Sequence, residues 1–169
     1  MTRSTQLEPR IAQVDPEAME PELVELARDP FYGIVAHRPE ILEAWHQLDK
    51  VFFGPSSALP NSLKEEARRT LSQGVGCRLC ASFGAPRGEH PDRREALAVA
   101  FAQLLVEDHR QIDESTFDVL REEFTDVEIV ELVTWLCFKY GSNMFGSLMQ
   151  LSPATEAEVE SYAKFVTTG

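Results

Sequence analysis

Cys77-Arg78-Leu79-Cys80 is the part of this chain whose residue types and spacing can do chemistry. Two thiols one helical turn apart can close a disulfide without large movement, which suits a dithiol/disulfide cycle. In such a cycle one thiolate attacks a peroxide or a disulfide, and the other resolves the product. Two other uses of the pair stay open on spacing alone. Free cysteines pack well as small buried hydrophobes. A zinc site is the third, but it wants four ligands; His90 is the histidine close in sequence and there is no second Cys-x-x-Cys. The remaining cysteine, Cys137, lies in Trp135-Leu136-Cys137-Phe138 and reads as a core residue of a long helix.

The surroundings of the pair differ from the rest of the chain. The protein has 169 residues with 28 acids against 16 Lys and Arg, a net charge of −12. That mean field argues against a nucleic-acid or anionic-membrane binder. Between Lys64 and Arg94, however, seven bases face four acids, whereas between Glu107 and Glu131 ten acids face two arginines. A locally positive setting lowers a thiol pKa, and Arg78 is the base nearest the pair. A Gly74-Val75-Gly76 break puts Cys77 at or near a helix start, where unpaired backbone N–H groups favour a thiolate.

The elements that must hold this pair read as helices. Residues 16–29 carry an apolar face (Met19, Leu23, Leu26, Ala27) that Pro21 breaks or delays. Pro39 opens a helix through Ile41, Leu42, Trp45, Leu48, Val51 and Phe52. Ser62 and Glu65 fit a capping box for a helix reaching Gly74. Residues 93–107 place Leu97, Ala100, Phe101, Leu104 and Leu105 inward. Ser115 or Thr116 can cap a short helix, and Thr125 with Glu128 opens a long one through Leu148. Thr155 and Glu158 start a last helix. No segment alternates with period two, so the expected fold is all-α. The long helix carries Trp135, Phe138, Tyr140, Met144, Phe145 and Met149 on more than one face, which fits either a second subunit or a central core helix inside one monomer. No run approaches the roughly 18 apolar residues a membrane span needs, and MTRSTQLEPRIAQ has no apolar signal core. A cytoplasmic protein with no membrane contact is expected.

Several of these segments together resemble the carboxymuconolactone decarboxylase family, in its alkylhydroperoxidase D-like, Cys-x-x-Cys-bearing branch. The residues that carry the resemblance are Leu59-Pro60-Asn61-Ser62-Leu63-Lys64-Glu65, Gly76-Cys77-Arg78-Leu79-Cys80, and Ala98-Val99-Ala100-Phe101-Ala102. Ile112-Asp113 to Phe124, Glu128 to Leu132, and Asn143 complete it, and residues 35–53 look like the helix that precedes this core. The resemblance implies an alkylhydroperoxidase D-like helical bundle over residues 35–151, with residues 1–34 as a helical extension and 152–169 as a C-terminal helix. It implies a thiol-dependent hydroperoxidase with an antioxidant role and no cofactor or metal. Cys80 would be the peroxidatic thiol, Cys77 the resolving one, and Glu65 part of the proton relay. It also implies a homo-oligomer, a trimer or hexamer, re-reduced by a dithiol protein of lipoyl or thioredoxin-like type. One departure matters: the family's histidine, four residues after the second cysteine, is Gly84 here. His90 is the candidate substitute in the relay. The alternatives are a non-catalytic helical scaffold of the same fold, or a decarboxylase-type lyase using Arg68, Arg69 or Arg78.

Overall fold

The computed structural model describes residues 8–168, and among them every regular element is helical. Prolines set the entry of the first three helices, α1 (Pro21–Ala27), α2 (Pro30–Val35) and α3 (Pro39–Phe53). At a first helical position the missing N–H costs nothing and φ is already helical. Pro21 therefore starts a helix, and a single 3-10 turn, Pro16–Ala18, precedes it. Asp29 caps α2 by accepting from the backbone N–H groups of Phe31 and Tyr32.

The core helices are α4 (Asn61–Val75), α6 (Arg93–Asp108) and α8 (Asp126–Leu148), with α4 packed between the other two. Small residues let α4 and α6 approach closely: Ala67 meets a face made by Ala98 and Ala102, and Gly74 lies against Val106. That approach turns α6 so that Ala98, Phe101 and Ala102 are buried and Ala100 is exposed, contrary to the expected inward face. On the other side Trp135 of α8 is fully buried, ringed by Phe52 and Phe53, and its indole N–H donates to the Lys64 carbonyl at 3.1 Å.

Short α5 (Arg78–Ser82) follows α4, α7 (Glu114–Arg121) precedes α8, and α9 (Glu156–Thr168) closes the chain. Two expected capping boxes are present, Thr125 with Glu128 and Thr155 with Glu158, each pairing reciprocally. Two other expected caps are not. Asp113, rather than Ser115 or Thr116, caps α7. At α4 the cap is Pro60 with no side-chain bond, so Ser62 and Glu65 form no box and Glu65 turns inward. The long helix also corrects the reading of Cys137, which is exposed. It falls on the side of α8 opposite Trp135 and Leu136, the residues that fill the core.

Candidate functional site

The site starts at a glycine. Gly76 ends α4 with φ of +80°, a conformation that suits a residue without Cβ, and the chain turns there into α5. Cys77 becomes the N-cap of α5, its sulfur accepting from the Cys80 N–H at 3.1 Å. The two cysteines are joined as a disulfide with Cα atoms 5.2 Å apart. Behind them Gly146 of α8 supplies the room: a Cβ there would lie 2.5 Å from Cys77 Sγ. Ile34, Leu79 and Leu151 complete an apolar shell around the pair.

The two sulfur-bearing residues are not equivalent. Cys77 is sealed at 0% exposure, whereas Cys80, at 8%, lines a cavity of about 690 Å³. The cavity wall is aromatic, with Phe31, Tyr32, Trp45, Phe83 and Tyr162 among its residues, and α1 and α2 form one side of it. An open cleft with a largely apolar wall and a few convergent polar groups is a usual make-up of a small-molecule site.

Two of the cavity's polar residues, Arg68 and Tyr162, join a network that runs behind the wall to Glu65, which lines a separate pocket with Glu66, Arg69 and Arg87. Glu65 binds Arg68 through both oxygens, at 2.7 and 2.8 Å, and accepts from Tyr162 Oη at 2.8 Å and from Arg69 Nε at 3.3 Å. Arg68 in turn donates to the Cys80 carbonyl at 2.9 Å and to Ser72 Oγ at 3.0 Å, which also accepts from Asn143. Burial works against the charge of Arg68, but Tyr162 and Glu65 outweigh it and keep the guanidinium firmly protonated. Burial also drives the Tyr162 phenol well above its ordinary range, opposed by Arg68 and reinforced by Glu65, so it is a donor at neutral pH. Across the cavity Asp49 accepts from Tyr32 and from Lys139. His46 also lines the cavity, and its Nδ1 is buried without a hydrogen-bond partner.

Cys77, Cys80 and Glu65 are thus brought together, Glu65 reaching the cysteine turn through Arg68. His90 and Arg78 are placed elsewhere. His90 Nδ1 pairs with Glu95 at 3.1 Å, in a cluster with Glu66 and Arg87, and it is not a cavity-lining residue. Arg78 donates to the Gln150 carbonyl at 3.0 Å, anchoring α5 to the end of α8. The cation bonded to the backbone of the second cysteine is Arg68. Its signal was present in the sequence, three residues after Glu65 on one helix face. Tyr162 had no such signal, since it joins from α9, 97 residues away along the chain. Gly84 has φ of +131°, and a Cβ there would meet Arg69 Nε at 3.0 Å. An imidazole at that position would need both a strained backbone and a displaced Arg69.

Among the described residues no cluster of three or more His, Cys, Asp or Glu is arranged to hold a metal ion, and no helix is long and apolar enough to cross a membrane. Compared with protein-family models and with curated proteins, the chain matches none.

Proposed function

We propose that this protein is a dithiol oxidoreductase of the alkylhydroperoxidase D-like type within the carboxymuconolactone decarboxylase family, reducing hydroperoxides in the cytoplasm. The observation that carries the reading is the inequality of the two cysteines: one sulfur-bearing residue at the wall of an aromatic cavity, its partner sealed behind it. That is the disposition a peroxidatic and a resolving thiol need.

Cys80 thiolate attacks the outer peroxide oxygen, the O–O bond breaks, and an alkoxide leaves with its electron pair and takes up a proton to become the alcohol. Cys80 is then a sulfenic acid. Cys77 thiol displaces hydroxide from it, forming the disulfide and releasing water. A lipoyl or thioredoxin-like dithiol returns two electrons and two protons. Arg68, bonded to the Cys80 carbonyl, favours the thiolate electrostatically. Glu65 and Tyr162 stand beside it as the groups able to relay the proton that the family's histidine would otherwise carry. The family's helical bundle and its homo-oligomeric assembly belong to the same proposal.

One observation favours a second reading, a scaffold that keeps the fold and lacks the chemistry. Arg69 lies where a side chain at position 84 would project. Mass spectrometry of the Cys77–Cys80 segment, after reduction and one equivalent of cumene hydroperoxide, separates the two. The expected result is rapid disulfide formation in the wild type and a stable sulfenic acid at Cys80 in Cys77→Ser. Thiols that stay reduced, or oxidation no faster in the wild type than in Cys80→Ser, would overturn the peroxidase reading.

A further inference from the structure

The outer face of α8 bears a pattern that the redox site does not use. Val127, Val130, Thr134, Cys137, Gly141, Met144 and Leu148 follow one another at alternating steps of three and four. All lie on the exposed side of the helix, Val127 at 69%, Val130 at 65% and Leu148 at 61%. Nothing lies within 4 Å of a Cβ built on Gly141. Alternate steps of three and four are the repeat of a helix seam that meets another helix. At ~1.5 Å per residue the strip is roughly 32 Å long, and it contains no charged side chain in a chain of net charge −12. Isolated exposed hydrophobics need no explanation, but a continuous strip of this kind marks an interaction surface. Alongside it runs α3, whose Trp45 and Phe52 stack on Phe138 while Ile41, Leu48 and Val51 remain exposed.

We infer that α8 pairs antiparallel with α8 of a second copy of this chain, across a two-fold axis at Cys137. Three observations select that occupant. The strip is self-complementary about Cys137. A two-fold there sets Val127 against Leu148 and Val130 against Met144, bulky against bulky, while small Thr134 meets Gly141 at the crossing. A two-fold interface requires this kind of match, and a foreign partner does not. Second, copies that each carry −12 repel wherever acids face each other, and this is a long surface strip without any. Third, the charges beyond the ends complement one another in the antiparallel order. Asp126 opens α8; at its far end the Arg78 guanidinium holds the Gln150 carbonyl, and the backbone N–H of Arg10 donates to the Met149 carbonyl, which places a second arginine there. The antiparallel pair brings Asp126 of each copy to the basic end of the other and opposes the helix dipoles. A parallel pair would bring acid to acid.

Sedimentation equilibrium and cross-linking of the oxidised full-length protein test this. With Cys77 and Cys80 closed as a disulfide, Cys137 is the remaining thiol, so a short bismaleimide reports on the seam directly. The expected mass is an even multiple of the 19.0 kDa chain, with a covalent dimer that Cys137→Ser abolishes. Val130→Glu or Met144→Glu, at exposed positions that leave the helical circular dichroism unchanged, is expected to halve the mass or more. In a Cys137→Ser background, Val130→Cys mixed with Met144→Cys is expected to couple across the pair and not with itself. A monomer at tens of micromolar, an odd oligomer, or an assembly that survives both glutamates overturns the inference. Self-coupling of Val130→Cys overturns the antiparallel order.

Discussion

Helix α4 carries two buried ion pairs side by side in sequence, and they sit in different surroundings. Lys64 is fully buried and pairs with Glu131 of α8 at 3.1 Å, with the Phe52 carbonyl and Ser57 as further acceptors. Glu65, the next residue, points to the other side of the helix, pairs with Arg68, and connects through it to the Cys80 turn. Both carboxylates are well partnered, both cations are sealed, and both pairs link distant segments. The difference lies in what surrounds them. Backbone and aromatic groups close the Lys64 pair, whose ammonium lies near the rings of Phe53 and Trp135. In the other pair Arg68 itself lines the cavity that Cys80 lines, with Glu65 behind it. A buried charge is therefore no pointer to function by itself; its neighbour, an accessible reactive group or only packing, decides.

The largest effect is expected on the closed side. Lys64→Ala strands the Glu131 carboxylate and is expected to cost about 3–5 kcal/mol, read from urea denaturation. Hydroperoxide-driven disulfide formation per folded molecule should stay at the wild-type rate. A loss of rate as large as that of a Glu65 variant would erase the distinction.

Next is Glu65→Gln, which leaves the Arg68 guanidinium with a neutral partner. The expected cost is about 2–3 kcal/mol, and here the rate should fall by about a factor of 10 or more. Its pH profile should shift as well, because the charge balance beside Cys80 changes. Stopped-flow oxidation across pH separates this from a purely structural loss, which would lower the amount of active protein and leave the profile in place.

Tyr162→Phe removes one donor from the same carboxylate. About 1.5 kcal/mol of stability should go, with a smaller fall in rate than for Glu65→Gln. A rate equal to wild type would take Tyr162 out of the relay and leave it as packing beside Phe83.

The smallest effect concerns acid stability. Burial raises the Glu131 pKa, but Ser57, the Ala58 N–H and Lys64 outweigh it, so the folded-state value lies below the ordinary one. As pH falls through the ordinary value near ~4.3, the unfolded chain takes up the proton first. The stabilisation is therefore complete above that pH and is lost from there down to the folded value. The urea midpoint of Glu131→Gln, lower at neutral pH, should fall less steeply than wild type across that window. An equal slope would assign the acid sensitivity to other carboxylates.

Much of this was legible in the residues, for local reasons. Helix entries at Pro39, Thr125 and Thr155 depend on proline geometry or on side chains three residues apart, and the folded chain has them at those residues. The Ser62–Glu65 box fits the same local rule yet did not form, because Arg68 and Tyr162 offer that carboxylate charged and phenolic donors in the interior. Cys137 is exposed, against its local pattern, for a related reason. A residue flanked by Trp135, Leu136 and Phe138 looks interior, but a helix that is apolar on more than one face does not say which of them meets its own core.

By itself, then, the sequence determined the all-helical class, the punctuation of the helices and the thiol pair at the head of a short one. Each follows from interactions within a few residues. Only the tertiary structure decided which sulfur-bearing residue meets the cavity, that Glu65 joins Tyr162 from 97 residues away, and which face of α8 is left uncovered. Those depend on how α4, α8 and α9 rotate against one another. Close packing settles that rotation, through the volumes of Gly146, Ala67 and Trp135 rather than through any local pattern.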